Sequence, residues 1–392
     1  MTITDQMLQE HLENTGHALF GPSSLTQRRD CPASALEAYK YGPQPSSEWA
    51  AAGTELHDHM EQAGLTMVGG GDGLSYLNNL EIEEQRRGWL LDSWDYLQTY
   101  IAKHPPDATI LFEADVSLKS FGVPEVTGTA DVVIRSADRI DVIDWKFGQG
   151  VPVFAANNLQ GACYAAGAIG FPIPDLPIYI HIAQAPLESF TRWDVTPKEL
   201  ENLMVNDVFD IVLNGRQNTD QYGPSMSACR FCPVKMSCTA RLNHLEEGRQ
   251  LVLQAAENKQ MIESQMIKLL DFADDIQQAI KDVRKHAAEV IQNGGTFGDY
   301  KMVAGRGSRR PIDKEEYDAF LISELGDKAY KPREVLSIAQ AEKAKPGLKK
   351  DSYFKELWEK VPGKPVLVKG TDKRKAIAYG VASHFQKFIG EN

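Results

Sequence analysis

The stretch WAAAGTELHDHMEQAG (49–64) is rich in alanine and sets Leu56 and Met60 four residues apart, which puts both on one face of a helix. A longer helical pattern follows over 78–103, with Trp89, Trp94 and Leu97 among its apolar positions. The period then changes. ILFEADVSL (110–118), VTGTADVVIR (126–135) and RIDVIDWKF (139–147) are β-branched, partly alternating runs, separated by turn material such as KSFGVPE and SADR. NNLQGACYAAGAIG (157–170) reads as a helix of small residues, and LPIYIHIAQAP (176–186) as another strand. Three strands, a helix and a strand indicate an α/β or α+β core over 105–195.

Residues 239–292 carry a long polar–apolar pattern without proline, read as one or two helices, and NGG at 293–295 ends it. The remainder opens on a strand pair in TFGDYKMVAGRG (296–307), then alternates short helical patterns with Pro and Gly turns. Gly- and Pro-rich breaks fall at 41–47, 68–73 and 170–177, and no repeat is evident. The expected division is a first domain over 1–240, a helical connector over 241–294 and a C-terminal domain over 295–392.

Composition narrows the class. A chain of 392 residues with 42% hydrophobic and 24% charged residues can bury an ordinary globular core. It holds no run of eighteen apolar residues, and MTITDQMLQEHLENTG is polar and acidic, so a soluble cytoplasmic protein with no membrane partner is expected. In a reducing cytosol, clustered cysteines point to a metal site and not to disulfides. The net charge of −12 argues against a general nucleic-acid-coating protein. Residues 295–392, however, carry 20 Lys and Arg against 14 Asp and Glu, a basic section on an acidic body.

The middle strands carry the chemistry. Glu113 falls on the first, Asp131 on the second within GTAD, and Asp144 and Lys146 at the end of the third within IDWK. Alternation puts i and i+2 on one face, so Asp144 and Lys146 point together into a cleft while Trp145 turns away and offers its carbonyl. Two acidic groups converging from adjacent strands supply the oxygen ligands that Mg²⁺ or Mn²⁺ takes. A lysine beside them positions an attacking water or stabilises a pentavalent phosphate. The D-x-K spacing alone decides little. It recurs as E-x-K at Glu257 and Lys259 on a predicted helix with no acidic strand before it, and by itself Asp144 with Lys146 reads as a surface ion pair. His57 sits upstream on the alanine-rich helix, with His59 pointing to a different side. Gln160 and Tyr164, four apart, share one face of the later helix.

CRFCPVKMSC (229–238) packs three of the five cysteines into ten positions. A tetrahedral zinc site or a four-iron cluster wants four sulfurs, and nothing nearby supplies the fourth. Cys163 lies among small residues and reads as a core cysteine. On thiolate chemistry alone, zinc and iron–sulfur both fit.

The series His57, Glu113, Gly128-x-x-Asp131, Asp144-x-Lys146 and Gln160-x-x-x-Tyr164 resembles, in its order, the RecB-type branch of the PD-(D/E)xK nuclease superfamily. The resemblance implies a restriction-endonuclease-like α/β fold: a central mixed sheet flanked by helices, with an iron–sulfur staple and a smaller α+β C-terminal domain. It implies His57, Asp131 and Asp144 as ligands of one or two Mg²⁺ or Mn²⁺ ions, with the Trp145 carbonyl a further ligand. Lys146 is then the catalytic lysine, Glu113 an acidic residue at the metal site or just behind it, and Gln160 and Tyr164 auxiliary residues that support the site or contact DNA. Asp144 stands where many relatives have Glu, and the pattern allows either.

The cysteines are similar to those of one subgroup, which includes the CRISPR-adaptation exonuclease and the AddB nuclease domain. Those proteins hold a 4Fe–4S cluster with one cysteine before the histidine motif and C-x2-C-x5-C after the core. By that likeness Cys31, in SSLTQRRDCPAS, joins Cys229, Cys232 and Cys238, and the cluster staples the domain's two ends, with structural Zn²⁺ the alternative.

GRGSRRPID, KPGLKK and GKPVLVKGTDKRKAI are similar to the tail of a family of phage and prophage proteins with this core. Arg306, Arg309 and Arg310 on a turn, and Lys373, Arg374 and Lys375, are then phosphate contacts of a C-terminal domain with a DNA-binding or assembly role. The implied function is a metal-dependent DNA exonuclease that resects ends during phage recombination or replication in a bacterial host. Its substrate is linear DNA, duplex or single-stranded, and its expected partner is a phage single-strand annealing or binding protein. The rival readings are a structure-specific or single-strand endonuclease and a non-catalytic DNA-binding module on the same fold.

Overall fold

The computed structural model describes residues 2–43, 48–257, 261–331, 334–335, 337–338, 341–342, 345–369 and 375–377. Lys259, Lys373 and Arg374 lie outside the described residues. The chain divides into two compact units, Met1–Ile276 and Gln277–Asn392.

The first unit is a mixed α/β fold on a five-stranded sheet. Strands β1 (Thr109–Ser117), β2 (Thr127–Arg135), β3 (Ile140–Trp145), β4 (Ile178–Gln184) and β5 (Ser189–Val195) lie side by side in chain order. All neighbours are antiparallel except β3 and β4, which run parallel. Helices α1 (Asp5–Thr15), α2 (Leu25–Asp30), α3 (Ser34–Tyr41), α4 (Glu48–Val68), α5 (Gly73–Asn78) and α6 (Glu84–Ile101) precede the sheet. A parallel pair needs a crossover, and α7 (Leu159–Ile169) supplies it.

The small residues of α7 have a steric cause. Asn158 caps its first turn by accepting from the Gly161 amide at 2.9 Å. A Cβ on Gly161 would lie 2.5 Å from Ile180 Cγ2, and one on Gly167 would lie 2.8 Å from Val116 Cβ. Glycine at both positions lets the helix lie directly on β1 and β4. Helices cover both faces of the sheet. Ala162, Cys163 and Ala166 of α7 pack with Val142 and Ile180, whereas Leu56, Met60, Trp94 and Leu97 pack with Ile143 and Trp145.

Four strands and the crossover helix lie where the hydrophobic period predicts them. The fifth strand, SFTRWDV, was not expected. It is a half-exposed edge whose only buried residue is Val195. After it come α8 (Pro197–Asn202), α9 (Phe209–Gln217), α10 (Met226–Cys229), α11 (Thr239–Ala256) and α12 (Glu263–Gln292). The proline-free segment is therefore two helices, and Gly294, at φ 84, stands just past the second.

In the second unit, β6 (Tyr300–Pro311) pairs antiparallel with β9 (Trp358–Lys369), far downstream. This corrects the strand pair expected within 296–307, where a turn through Gly298 allows only a single bridge between Phe297 and Tyr300. The unit also holds a two-residue pair, β7 (Tyr330–Lys331) with β8 (Glu334–Val335), and α13 (Lys314–Leu325), whose Tyr317 and Leu321 pack with Phe354 and Leu357.

Arg306, Arg309 and Arg310 lie on β6 and not on a turn. Arg309 clamps Glu342 and stacks over the Trp358 ring at 4.6 Å, and Arg310 meets Glu359 across the ladder at 2.7 Å. Those two charges are therefore answered inside the unit, while Arg306 is exposed. Among the described residues, no helix is long and apolar enough to cross a membrane.

Candidate metal centre and sulfur pocket

The first unit holds a cleft of about 1010 Å³, and β1, β2, α4 and α7 contribute to its lining. His57 comes from α4, Glu113 from β1 and Asp131 from β2. One ligand atom from each lies within 4.8 Å of the others, the one such group among the described residues. His57 Nδ1 stands 3.4 Å from Asp131 Oδ1. The second oxygen, Asp131 Oδ2, accepts from the Trp145 backbone N–H at 2.6 Å, which fixes the carboxylate against β3.

Glu113 carries a local distortion. The β1–β2 register is the same on both sides of it, yet the pairing skips the position where Glu113 faces Asp131. There the Glu113 backbone enters the left-handed region at φ 44. That conformation is costly for a residue with a side chain, and such strain collects at functional sites.

Behind this group, Asp144 and Lys146 point to the same side of β3, as alternation predicts. Lys146 Nζ lies 2.7 Å from Asp144 Oδ2 and donates to Gln160 Oε1 at 3.2 Å. Gln160 Nε2 donates to Asp144 Oδ1 at 3.2 Å and to the Tyr164 hydroxyl at 2.9 Å. Trp145 turns to the opposite core with 1% of its surface exposed. His59 is directed elsewhere, with Nδ1 3.2 Å from the Tyr76 hydroxyl.

The electrostatics describe a site with excess negative charge. Burial pushes the Glu113 carboxyl up to about 7, and the Asp131 charge adds to it. Burial also pushes Asp144 up to about 6, with Lys146 offsetting only part of the rise. For Lys146 itself burial favours the neutral amine, but Asp144 and Asp131 outweigh it and hold the ammonium above the ordinary lysine range. Burial likewise opposes charge on His57, and Asp131 overcomes it. A small hard cation fits this donor set, since ligands at about 2.1 Å from Mg²⁺ need only small side-chain movements to close on it.

The cleft also takes in residues that sequence reasoning missed. Asp58, Glu61, Asp115 and His17 line it, and Glu61 lies one helical turn beyond His57 on α4. The i, i+4 spacing from His57 was the available signal for Glu61.

The cysteines assemble on their own. Cys31 ends α2, Cys229 ends α10, and Cys238 precedes α11; with Cys232 they line one pocket. The junction is tied by Gln27 Nε2 donating to the Ala228 carbonyl at 2.8 Å and by the Ala33 amide donating to the Gln221 carbonyl at 3.0 Å. The four cysteines line one pocket, but no three of their sulfurs lie within 4.8 Å of one another; in kind, four thiols are the donor set of a thiolate-bound metal centre. Cys163 is fully buried in the core, apart from that pocket.

A family model described as "Protein of unknown function (DUF2800)" matches residues 17–375, which take in His57, Glu113, Asp131 and the whole sulfur pocket.

Proposed function

We propose that this chain, which belongs to the DUF2800 family, is a divalent-metal-dependent deoxyribonuclease of the PD-(D/E)xK type, with a restriction-endonuclease-like fold and a 4Fe–4S cluster closing its nuclease unit. The observation that carries the reading is the convergence of His57, Glu113 and Asp131 beside the buried Asp144–Lys146 pair. His57, Asp131 and Asp144, with Glu113 adjoining, would hold Mg²⁺ or Mn²⁺. When bound, such an ion supplies Lewis acidity at a phosphoryl oxygen and lowers the pKa of water.

The remaining steps belong to the chain. Asp144 and Asp131 favour the Lys146 ammonium, which suits it to serve as a fixed positive charge for the phosphate as negative charge builds on it. Gln160 bridges the Lys146 ammonium and the Asp144 carboxylate by hydrogen bonds, and its amide also bonds the Tyr164 hydroxyl. Trp145 orients Asp131 through its backbone N–H. Cys31, Cys229, Cys232 and Cys238 would ligate the cluster, which ties the N-terminal segment to the segment after β5.

The test is degradation of linear and closed circular DNA with Mg²⁺ or Mn²⁺, comparing wild type with Asp144→Ala and Lys146→Ala. Each substitution is expected to lower the rate at least about 10²-fold, the scale of losing one preorganised electrostatic group. Linear DNA is expected to be consumed while circles persist; cutting of closed circles would assign an endonuclease. Unchanged cleavage in both variants defeats the mechanism. Anaerobically purified protein is expected to contain iron and sulfide, and stoichiometric zinc without iron would replace the cluster with a zinc site.

A further inference from the structure

The sulfur pocket has a cation built in behind it. Arg28 stands on α2, one turn before Cys31, and is 5% exposed. Its guanidinium donates only to neutral acceptors: Nε to the Leu19 carbonyl at 3.2 Å, and Nη1 to Gln27 Oε1 at 2.8 Å and Ser34 Oγ at 3.0 Å. Among the described residues, no carboxylate pairs with it. Arginine cannot escape this by losing its proton, and a buried cation without an anion is destabilising.

The surroundings identify where the anion belongs. Ser34, which Arg28 bonds, lines the same pocket as the four cysteines, and Gln27, its other side-chain partner, bonds the carbonyl next to Cys229. Burial works against the Arg28 charge, and the charges that favour it are those of Cys232 and Cys31. Four thiolates around a metal answer the guanidinium well. Either Zn²⁺ or a 4Fe–4S core of charge +2 leaves a net dianion once four thiol protons have passed to solvent.

We propose that Arg28 is the buried counter-charge of a four-thiolate metal centre, a positioning residue that favours the loaded state over the metal-free one. The inference rests on the reading of the four cysteines as metal ligands, and it holds for zinc and for iron–sulfur alike.

The experiment loads the metal-free full chain with Zn²⁺ and measures affinity by chelator competition and melting temperature in both states. Arg28→Met is expected to lose at least about tenfold in Zn²⁺ affinity, the usual scale for a group behind the ligands, and Arg28→Lys to recover most of it. Ser34→Ala, which removes a hydrogen bond but no charge, is expected to bind like wild type. The melting temperatures carry the sign. Metal-free Arg28→Met melts at or above metal-free wild type, and Zn²⁺-loaded Arg28→Met melts below loaded wild type. Equal affinity in Arg28→Met overturns the proposal, as does a metal-free Arg28→Met that melts below wild type or fails to fold. A Ser34→Ala loss as large as that of Arg28→Met also overturns it. A wild type that binds no Zn²⁺ overturns the metal reading itself, and this inference with it.

Discussion

Strand β3 buries two aspartates three residues apart, and their surroundings are opposite. Asp141 is wholly buried yet met on every side. His104 Nε2 lies 2.8 Å from one oxygen, His181 Nε2 lies 2.9 Å from the other, and Arg139 donates to both at 2.7 Å. Burial opposes its ionisation, but His181 and Arg139 prevail and hold the carboxyl down at about 2. The shell continues outward, with the Tyr96 hydroxyl 3.0 Å from His181 Nδ1 and Ser136 Oγ 3.0 Å from His104 Nδ1. Asp144 is as deeply placed but faces the other side, where one lysine and one amide meet it and the Asp131 charge opposes it. A buried carboxylate with its charge fully answered belongs to the scaffold. One left partly unanswered beside a strained glutamate marks the place where a cation fits.

The largest expected effect breaks the first member of the pair. Asp141→Ala leaves Arg139, His104 and His181 without their shared anion, and removing one partner of a buried ion pair costs about 3–5 kcal/mol. Denaturant unfolding followed by tryptophan fluorescence reads it, since Trp94 and Trp145 lie in this core. Asp144→Asn, measured with a chelator at pH 7, is expected to stay within about 1 kcal/mol of wild type or to stabilise, because it removes a charge that the folded state disfavours. Equal losses in the two variants would abolish the distinction between them.

Acid sharpens the same contrast. The folded pKa of Asp141 is depressed, so its contribution is present above the unfolded value near 3.9 and is lost as pH falls from about 4 toward 2. The shift corresponds to about 2–3 kcal/mol. Burial depresses His181 below its ordinary value against the pull of Asp141, so its penalty begins as pH falls below about 6.5. Asp144 has the reverse sign. Its folded pKa is raised to about 6, so the metal-free protein gains from it as pH falls from 6 toward 4. Stability of the metal-free protein measured from pH 7 to 2 is expected to lose the limb below 4 in Asp141→Asn and the Asp144 share of the gain between 6 and 4 in Asp144→Asn, with Glu113 supplying the rest of that gain. Superimposable profiles for the two variants would contradict both assignments.

The two aspartates also differ in how far the sequence alone exposes them. Asp144 is legible because its series, spread over strands and a helix of strong period, resembles the ordered motifs of a nuclease family; the D-x-K spacing alone decides little. Asp141 is not legible, because its partners come from a loop after α6, the residue before β3 and the middle of β4, and no local spacing links His104 to His181. Glu61 was within reach through its turn from His57, but an acidic residue on a polar helix face is too ordinary to stand out. β5 was missed because an edge strand alternates weakly, and β9 because no periodic signal ties it to a partner forty-seven residues upstream at Pro311. The pairing of Cys31 with the distant cluster came from family likeness, whereas the hydrogen bonds that bring the two segments together involve Gln27, Ala33, Gln221 and Ala228, none of which the pattern marks.

The smallest effect tests whether Asp144 depends on the helix above it, as Asp141 does not. Gly161→Ala adds a Cβ 2.5 Å from Ile180 Cγ2, next to Gln160. Overpacking of this kind costs about 1–3 kcal/mol, while alanine is the better helix former by up to about 1 kcal/mol. The net loss of stability is therefore expected near 1 kcal/mol. The displacement acts at the Gln160 bonds to Asp144 Oδ1 and Lys146 Nζ, both already at 3.2 Å, where a few tenths of an ångström takes them out of hydrogen-bonding range. DNA cleavage is thus expected to fall by a larger factor than the stability loss alone would produce. The Asp141 network, on the opposite face of the sheet, should keep its acid limb unchanged. If cleavage and the acid limb shift together, the sheet transmits the strain and the two aspartates do not form separate systems.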